Sequence, residues 1–259
     1  MALANGLLVH GPGHWAAAVR DADGRVVVAS GRKHLFRAGP LTDMPLARGI
    51  VRLGEAFAVL PSVRRGLPQA RFAMEDRRTI GVAVAATAVA AVARRRLRSV
   101  LAQEVVGAAA GLAPALLTMR GSRAAVWHAV EHKSIAAYEA GGADEVAHAD
   151  AHAKEHERCG SNLILPLLVS TTLGNTLARK AFRGRAVRAR AVVAVLSIGA
   201  AVEVFSFSAR RPEHPLSRLV HGVGHAVQSG FVTREPSQSD LLVGRAAMEA
   251  LLRAETASA

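Results

Sequence analysis

The sequence predicts a mainly α-helical, polytopic membrane protein with about four apolar helices, a small N-terminal β-hairpin region and a C-terminal amphipathic helix. Hydrophobic residues make up 51% of the 259 residues but aromatic residues only 4%. This balance is typical of closely packed helices rather than of an aromatic β core. Basic residues flank the apolar segments, at 94–96 and 183–190 for example, as expected beside membrane spans.

The four apolar segments cover residues 79–93, 100–119, 163–178 and 191–209. A spanning helix needs about 20 apolar residues, and ~17 is the usual lower limit. The first and third segments are therefore short, and the second carries Gln103 and Glu104 near its start. A soluble, alanine-rich helical bundle is the alternative that hydropathy leaves open. The orientation is also open, because arginines occur at both ends of the first segment.

Four regions follow from this pattern. Residues 1–45 form a small β-rich segment, with strands expected at 7–10, 14–20 and 25–30 and a turn at 21–24. Amphipathic, interfacial helices are expected at 46–78, the first of them ending near Leu60. The membrane helical region covers 79–210 and contains a polar motif loop at 120–162. A tail and a helix occupy 211–259, where Ser237 and Asp240 predict a capping box.

The formal net charge of +13 would suggest a nucleic-acid partner in a soluble protein, but the sequence contains no nucleic-acid-binding motif. Basic residues beside apolar segments favour contact with anionic lipids instead. The expected partner is therefore the lipid bilayer and not nucleic acid, and homo-oligomerisation stays open. The single cysteine, Cys159, excludes an internal disulfide, and no signal peptide is expected. The expected location is the plasma membrane, crossed several times.

The strongest chemical signal is the H-x-x-E-H pattern of His128, Glu131 and His132. On a helix the two histidines share one face, and the glutamate lies beside them. In reversed-order zinc peptidases this pattern supplies two metal ligands and a general base. Without further context, the same pattern is more often a solvated helix face.

Other histidine, cysteine and glutamate residues that could bind a metal lie close to this pattern or in the last apolar segment. His148, His152 and His156 have the spacing of one stripe on a single helix, although an exposed face explains the first two better. Cys159 follows His156 within one turn, and both are candidate ligands. Glu203 lies inside the fourth apolar segment, where a carboxylate needs a metal, a neighbouring arginine or a proton. Further histidines are treated as secondary or as turn residues: His10, His14, His221 and His225.

Several motifs resemble those of the YqhQ-like family of bacterial multi-pass membrane proteins, which contain the domain of unknown function 1385. The W-H-A-V-E-H-K segment at 127–133, followed by Y-E at 138–139, resembles that family's Y-H-G-A-E-H-K and Y-E. H-E-R-C-G-S at 156–161 is similar to H-P-R-C-G-T/S, and T-R-E-P at 233–236 is similar to its T-R-E-P ending. The N-terminal residues 11–20 are similar to its R-G-P opening.

The resemblance implies a multi-pass membrane protein of a family described as predicted metal-dependent enzymes, and it supplies no substrate. The matching candidate positions are His128, Glu131, His132, His156, Cys159 and Glu203, with Arg158, Arg234 and Glu235 as further candidates. This chain departs from the family pattern at 129–130 and at Glu157. It also departs at 4–8, where a polar N-terminal segment of the family is reduced.

The predicted function is therefore that of a metal-dependent hydrolase at the membrane interface. His128 and His132 would bind zinc or a related divalent transition metal, with Glu203 or His156 as third ligand, and Glu131 would act as the base. One alternative is a non-enzymatic membrane protein that uses metal for structure, sensing or transport, with Cys159 closing a four-ligand site. Another is a scaffold without metal, whose His and Glu side chains form packed hydrogen bonds.

Overall fold

A three-stranded antiparallel sheet begins the chain in the computed structural model, which describes residues 1–36, 39–72, 75–181 and 186–257. The strands β1 (Gly6–His10), β2 (His14–Arg20) and β3 (Val26–Arg32) lie in the order β1-β2-β3. Gly24 has a φ of 80° in the turn before β3, a conformation that favours glycine. The predicted hairpin region is confirmed.

Helices cover both faces of this sheet. On one face, α5 (Arg123–Gly141) and α9 (Gln238–Thr256) build a core with Leu7, Val9, Ala16 and Ala18 of the strands. On the other face, α2 (Leu60–Gly66) packs against Leu8, Trp15, Ala17 and Val19. The run of small alanines in β2 lets helices approach the central strand from both sides. The predicted capping box of Ser237 and Asp240 starts α9.

The remaining helices form a second packed group. The helices are α1 (Ala47–Ala58), α3 (Arg77–Arg96), α4 (Val100–Met119), α6 (Ile164–Ala181), α7 (Ala186–Arg210) and α8 (Pro215–Val227). The pairs α3–α4 and α6–α7 pack side by side, α4 contacts α6, and α1 and α8 lie against α7. The prediction of a mainly helical chain is confirmed, because all four apolar segments are helical.

Two of the four predicted apolar segments are candidate membrane spans. Within the described ranges, two helical stretches are long and apolar enough to cross a membrane: Val100–Met119, with a mean hydropathy of 1.6, and Ala191–Arg210, with 2.0. The predicted segments at 79–93 and 163–178 are helical but do not meet the same test. The predicted polytopic count of four is therefore not confirmed. Residues 182–185, at the start of the predicted basic flank, lie outside the described residues.

The polar residues at the start of α4 form a buried ion pair with α6. Arg179 Nη1 donates to Glu104 Oε1 over 3.1 Å and to Gln103 Oε1, and the Glu104 side chain is only 2% exposed. Gln103 Nε2 donates in turn to the carbonyl of Leu97 over 2.7 Å. The side chains of Gln103 and Glu104 therefore both have hydrogen-bond partners within the protein, as buried polar groups require.

Candidate metal centre

Helix α5 carries the H-x-x-E-H pattern and places its two histidines on one face. The helix begins after Ser122, whose side chain accepts from Ala125 N, and runs unbroken past Glu139. The ring centroids of His128 and His132 lie 4.3 Å apart. This proximity is the helical neighbour relation expected from the sequence spacing.

Cys159 reaches the two histidines from a loop that folds back onto α5. It precedes the short 3₁₀ turn Gly160–Leu163, where Ser161 N donates to Cys159 Sγ over 3.4 Å. The sulfur lies 3.5 Å from His128 Nε2. One ligand atom from each of His128, His132 and Cys159 lies within 4.8 Å of the others. We call these three residues the His–His–Cys group.

Backbone carbonyls fix both imidazole rings. His128 Nδ1 lies 3.0 Å from Val232 O, and His132 Nδ1 lies 2.6 Å from Lys154 O. Because a carbonyl oxygen only accepts hydrogen bonds, each Nδ1 carries the hydrogen, and Nε2 of the neutral ring keeps its lone pair free. Carbonyl partners of this kind commonly orient histidines that bind metals.

The charge state of the group favours a thiolate. Burial alone would raise the pKa of the Cys159 thiol, but hydrogen bonds and charge from His128 and His132 lower it to about 5. Burial would likewise lower the pKa of His128, yet the interaction with Cys159 raises it. Without a metal, these opposite pKa shifts favour a thiolate on Cys159 and a proton on His128, a thiolate–imidazolium pair, whereas metal binding requires the neutral imidazole.

Glu131 does not join the His–His–Cys group. It lies about 100° away from His132 around the helix axis and faces the sheet, where Oε1 accepts from the amino group of Met1. Its Oε2 atom is buried and has no hydrogen-bond partner among the described residues. Burial would raise the pKa of Glu131, but the Met1 amino group, His128 and His132 lower it.

The two residues predicted as third ligand also lie outside the group. Glu203 Oε1 accepts from Arg48 Nε over 2.8 Å and from Leu46 N over 3.0 Å, so its partner is an arginine of α1. His156 uses Nε2 towards Glu139 Oε2, at 3.2 Å, and accepts from Arg158 N at Nδ1. In the described geometry, the third residue beside the two histidines is Cys159.

The predicted helical stripe of His148, His152 and His156 is wrong. A 3₁₀ helix covers Asp144–Ala151, and the chain from His152 to Cys159 is irregular. His148 and His152 both face Glu145 instead, at 3.8 and 3.3 Å. An irregular chain leaves carbonyls free to accept from α5, whereas a helix would use most of them internally.

Ion pairs to α5 hold the motif segments in place. Arg158 pairs with Glu139 at 2.6 Å, and Glu235 pairs with the buried Lys133 at 2.9 Å. The backbone N of Arg234 donates to Ala125 O over 3.1 Å. The further candidates Arg158, Arg234 and Glu235 therefore attach the loop and the C-terminal segment to the helix that carries the histidines.

Two residues that shape this site, Lys133 and Gln228, are not among the candidates predicted from the sequence. Lys133 donates to the carbonyls of Asp150, over 3.2 Å, and of His152, over 2.6 Å, and its position directly after His132 was the available signal. Gln228 is 1% exposed and bonds both N and O of His156. Nothing in the local sequence identifies Gln228, because its contacts join residues 72 positions apart.

A cleft of about 320 Å³ lies beside the 3₁₀ turn Gly160–Leu163, and its lining does not include the three residues of the His–His–Cys group. Its lining includes Glu155, His156, Asn162, His221, His225 and Gln228. Asn162 Oδ1 and His221 Nε2 have no hydrogen-bond partner within the described part of the chain. Asn162 is 1% exposed, and its backbone N donates to Cys159 O over 3.0 Å. The wall of the cleft is therefore connected to Cys159 and the 3₁₀ turn Gly160–Leu163, which we call the cysteine turn.

The fold and the site define a mainly helical chain with a small N-terminal sheet and a buried His–His–Cys group. Residues 119–254 match the family model described as "Protein of unknown function (DUF1385)", and the chain belongs to that family. The match covers more than half of the chain and includes α5, the cysteine turn and nearly all of α9. The comparisons with curated proteins and with solved structures gave no significant match.

Proposed function

We propose that this protein is a metal-dependent membrane enzyme, a hydrolase, that binds zinc or a related divalent transition metal through His128, His132 and Cys159. The observation that carries the proposal is the pair of carbonyl contacts to the histidine Nδ1 atoms. These contacts leave both Nε2 atoms free as ligands beside a cysteine whose thiolate form is favoured.

The spacing of the group supports this assignment. Tetrahedral zinc, with Zn–S near 2.3 Å and Zn–N near 2.0–2.1 Å, separates sulfur and nitrogen ligands by about 3.6 Å. The distance between Cys159 Sγ and His128 Nε2 is 3.5 Å. Imidazole and thiolate together suit zinc and its neighbours better than magnesium or calcium, which prefer oxygen.

Three protein ligands leave a fourth coordination position for water or substrate, and a bound zinc ion makes such a water acidic enough to act as a nucleophile near neutral pH. The chain itself orients the ligands through the carbonyls of Val232 and Lys154. The cleft lined by Asn162 and His221 offers unsatisfied polar atoms to a small polar substrate. The role of Glu131 as general base remains a prediction.

The membrane part of the proposal is supported by the exposure of the apolar helices. Only 11% of the apolar window of α4 and 22% of that of α7 are buried by the rest of the protein. Exposed apolar residues also occur along α3 and α6, for example Val84 at 65% and Leu177 at 65%. Lipid would cover these surfaces, as in a multi-pass protein of the plasma membrane.

The direct test of the ligand set is a zinc titration of chelator-treated protein in detergent. We expect Cys159→Ser to weaken zinc binding about 100-fold or more, because a thiolate is replaced by a weakly binding hydroxyl. Glu203→Gln serves as the matched control and should bind zinc like the wild type. A loss of affinity in Glu203→Gln alone would contradict the set and restore Glu203 as a ligand.

A second candidate function is favoured by the thiolate–imidazolium pair: a metal-free thiol enzyme with Cys159 as nucleophile and His128 as its base. Because the chain has a single cysteine, ultraviolet absorption of the thiolate reports Cys159 alone. In metal-free protein we expect the thiolate to be lost only as pH falls through about 5, and His128→Ala to move that midpoint upward.

The thiolate titration can also contradict the thiolate–imidazolium pair of Cys159 and His128. His148→Ala is the control, because His148 contacts Glu145 rather than Cys159. A wild-type midpoint close to the ordinary thiol value of 9.0, or equal midpoints in wild type and His128→Ala, would contradict it. Zinc binding and the thiolate midpoint together decide between the two candidates, since the thiol enzyme needs the low midpoint without metal.

A further inference from the structure

A second cleft, with a volume of about 830 Å³, lies between the sheet, α2 and the start of α5. Four arginines line it, and they come from four different segments: Arg20 from β2, Arg64 from α2, Arg71 from the chain before α3, and Arg123 from the first position of α5. Asp21 is the one acidic residue in the lining. The wall therefore carries an excess of positive charge.

Two of the four guanidinium groups have no carboxylate partner in the described part of the chain. Arg64 pairs with Glu75, and Arg123 pairs with Asp240 at 2.7 Å. By contrast, Arg20 donates only to backbone carbonyls, over 3.1 and 2.6 Å, and the Arg71 side chain is exposed. Arg20 and Arg71 are thus available to an anion in the cleft.

Trp127 supplies an independent observation that points to a ligand. It lines the cleft, it is 1% exposed, and its Nε1 has no acceptor among the described residues. A buried N–H donor without a partner is costly, and an oxygen of a bound ligand would satisfy it. The guanidinium of Arg123 lies 4.9 Å from the centre of the Trp127 ring, so donor and charge lie side by side.

The position of the cleft in the chain suggests the source of the ligand. Arg71 precedes the start of α3, and Arg123 follows the end of α4 by four residues. These two helix ends are adjacent, because Arg78 Nη2 donates to Leu117 O over 3.3 Å. The cleft therefore opens where the chain enters and leaves the α3–α4 hairpin. If α4 spans a membrane, as proposed above, this level is that of the lipid headgroups.

We infer that this cleft binds the phosphate group of an anionic phospholipid. Guanidinium groups match phosphate oxygens in charge and in planar, two-point geometry. Arg71 and Arg20 hold the phosphate, and the Trp127 N–H donates to a ligand oxygen. The membrane level of the cleft rests on the proposed function, whereas its affinity for phosphate oxygens does not. Because Trp127 directly precedes His128, the cleft and the His–His–Cys group are both built on α5.

The test is a titration of the full chain in neutral detergent with short-chain phosphatidylglycerol, phosphatidylcholine or inorganic phosphate. Of the two tryptophans, only Trp127 lines the cleft, so we expect binding to change the fluorescence of Trp127 rather than that of Trp15. Chelator-treated protein is used throughout, so that failure of the metal proposal leaves this readout intact. We expect phosphatidylglycerol to bind, and phosphatidylcholine and inorganic phosphate to bind about tenfold more weakly or worse.

Three variants make the test specific. Arg71→Gln removes an exposed side chain that has no partner among the described residues, and it should weaken phosphatidylglycerol binding about tenfold without affecting the fold. Arg20→Gln/Arg71→Gln should weaken it further. Arg95→Gln removes the same charge at the opposite end of α3 and should change nothing. Equal losses in Arg71→Gln and Arg95→Gln, or no loss in either, would overturn the site. Equal binding of inorganic phosphate would overturn the lipid as its source.

Discussion

Replacing Glu104 by Leu is expected to destabilise the protein by about 3–5 kcal/mol, because Arg179 would then lie beside apolar helices without its carboxylate. The Glu104 side chain is 2% exposed and Arg179 is 27% exposed, so little solvent reaches the pair. Replacing both residues, in Glu104→Leu/Arg179→Leu, should restore most of the loss, since neither charge then remains unpaired. Thermal unfolding of the detergent-purified protein measures both effects.

An exposed ion pair provides the control for this experiment. Arg245 and Glu249 lie one turn apart on α9, at 2.7 Å, with side chains 50% and 42% exposed. Glu249→Gln should cost less than about 1 kcal/mol, as is usual for surface pairs. If Glu104→Leu is no more destabilising than Glu249→Gln, the pair between α4 and α6 does not hold these helices together.

Gly224→Ala is expected to be the most damaging small substitution near the cleft. A Cβ at this position would lie 1.7 Å from Asn162 Oδ1 and 2.7 Å from its Cγ. Asn162 cannot move freely, because its side chain donates to Glu157 O and its backbone donates to Cys159 O. We expect a loss of about 1–3 kcal/mol or more from overpacking, together with weaker zinc binding as Cys159 shifts.

The same helix offers a matched control for Gly224→Ala. Gly222 also lies in α8, and a Cβ there would have no atom within 4 Å. Gly222→Ala should be neutral or stabilising by up to about 1 kcal/mol, because alanine favours a helix over glycine. Thermal unfolding and zinc titration of the two variants separate the contact with Asn162 from the general effect of an added methyl group. Equal stability and affinity in both would contradict the argument.

Much of the secondary structure could be predicted, because local sequence determines it. The apolar runs gave the helices α3, α4, α6 and α7, and the turn at 21–24 gave the β2–β3 hairpin. The region 144–159 could not be predicted in this way. This region, a 3₁₀ helix followed by an irregular chain, depends on carbonyl contacts to Lys133 and His132 of α5, which lie 17 to 22 positions away in the chain.

The candidate site was predictable to a similar extent. His128 and His132 follow from helical spacing, and Cys159 was a candidate because it lies close to several histidines. The carbonyls of Val232 and Lys154 orient the rings. Because every residue has a backbone carbonyl, the residue types at these positions do not predict this role. Glu203 needed a partner, and the sequence could not distinguish a metal from Arg48, which lies 155 positions earlier.

The most direct test of the metal centre is elemental analysis of protein purified in detergent without added metal. Wild type and Glu203→Gln should each contain about one zinc or related transition-metal ion per chain, since the three ligands form one site. His128→Ala/His132→Ala should contain none while retaining its helical circular-dichroism spectrum. Metal-free wild-type protein, or equal metal in the double variant, would contradict the assignment of His128, His132 and Cys159 as ligands.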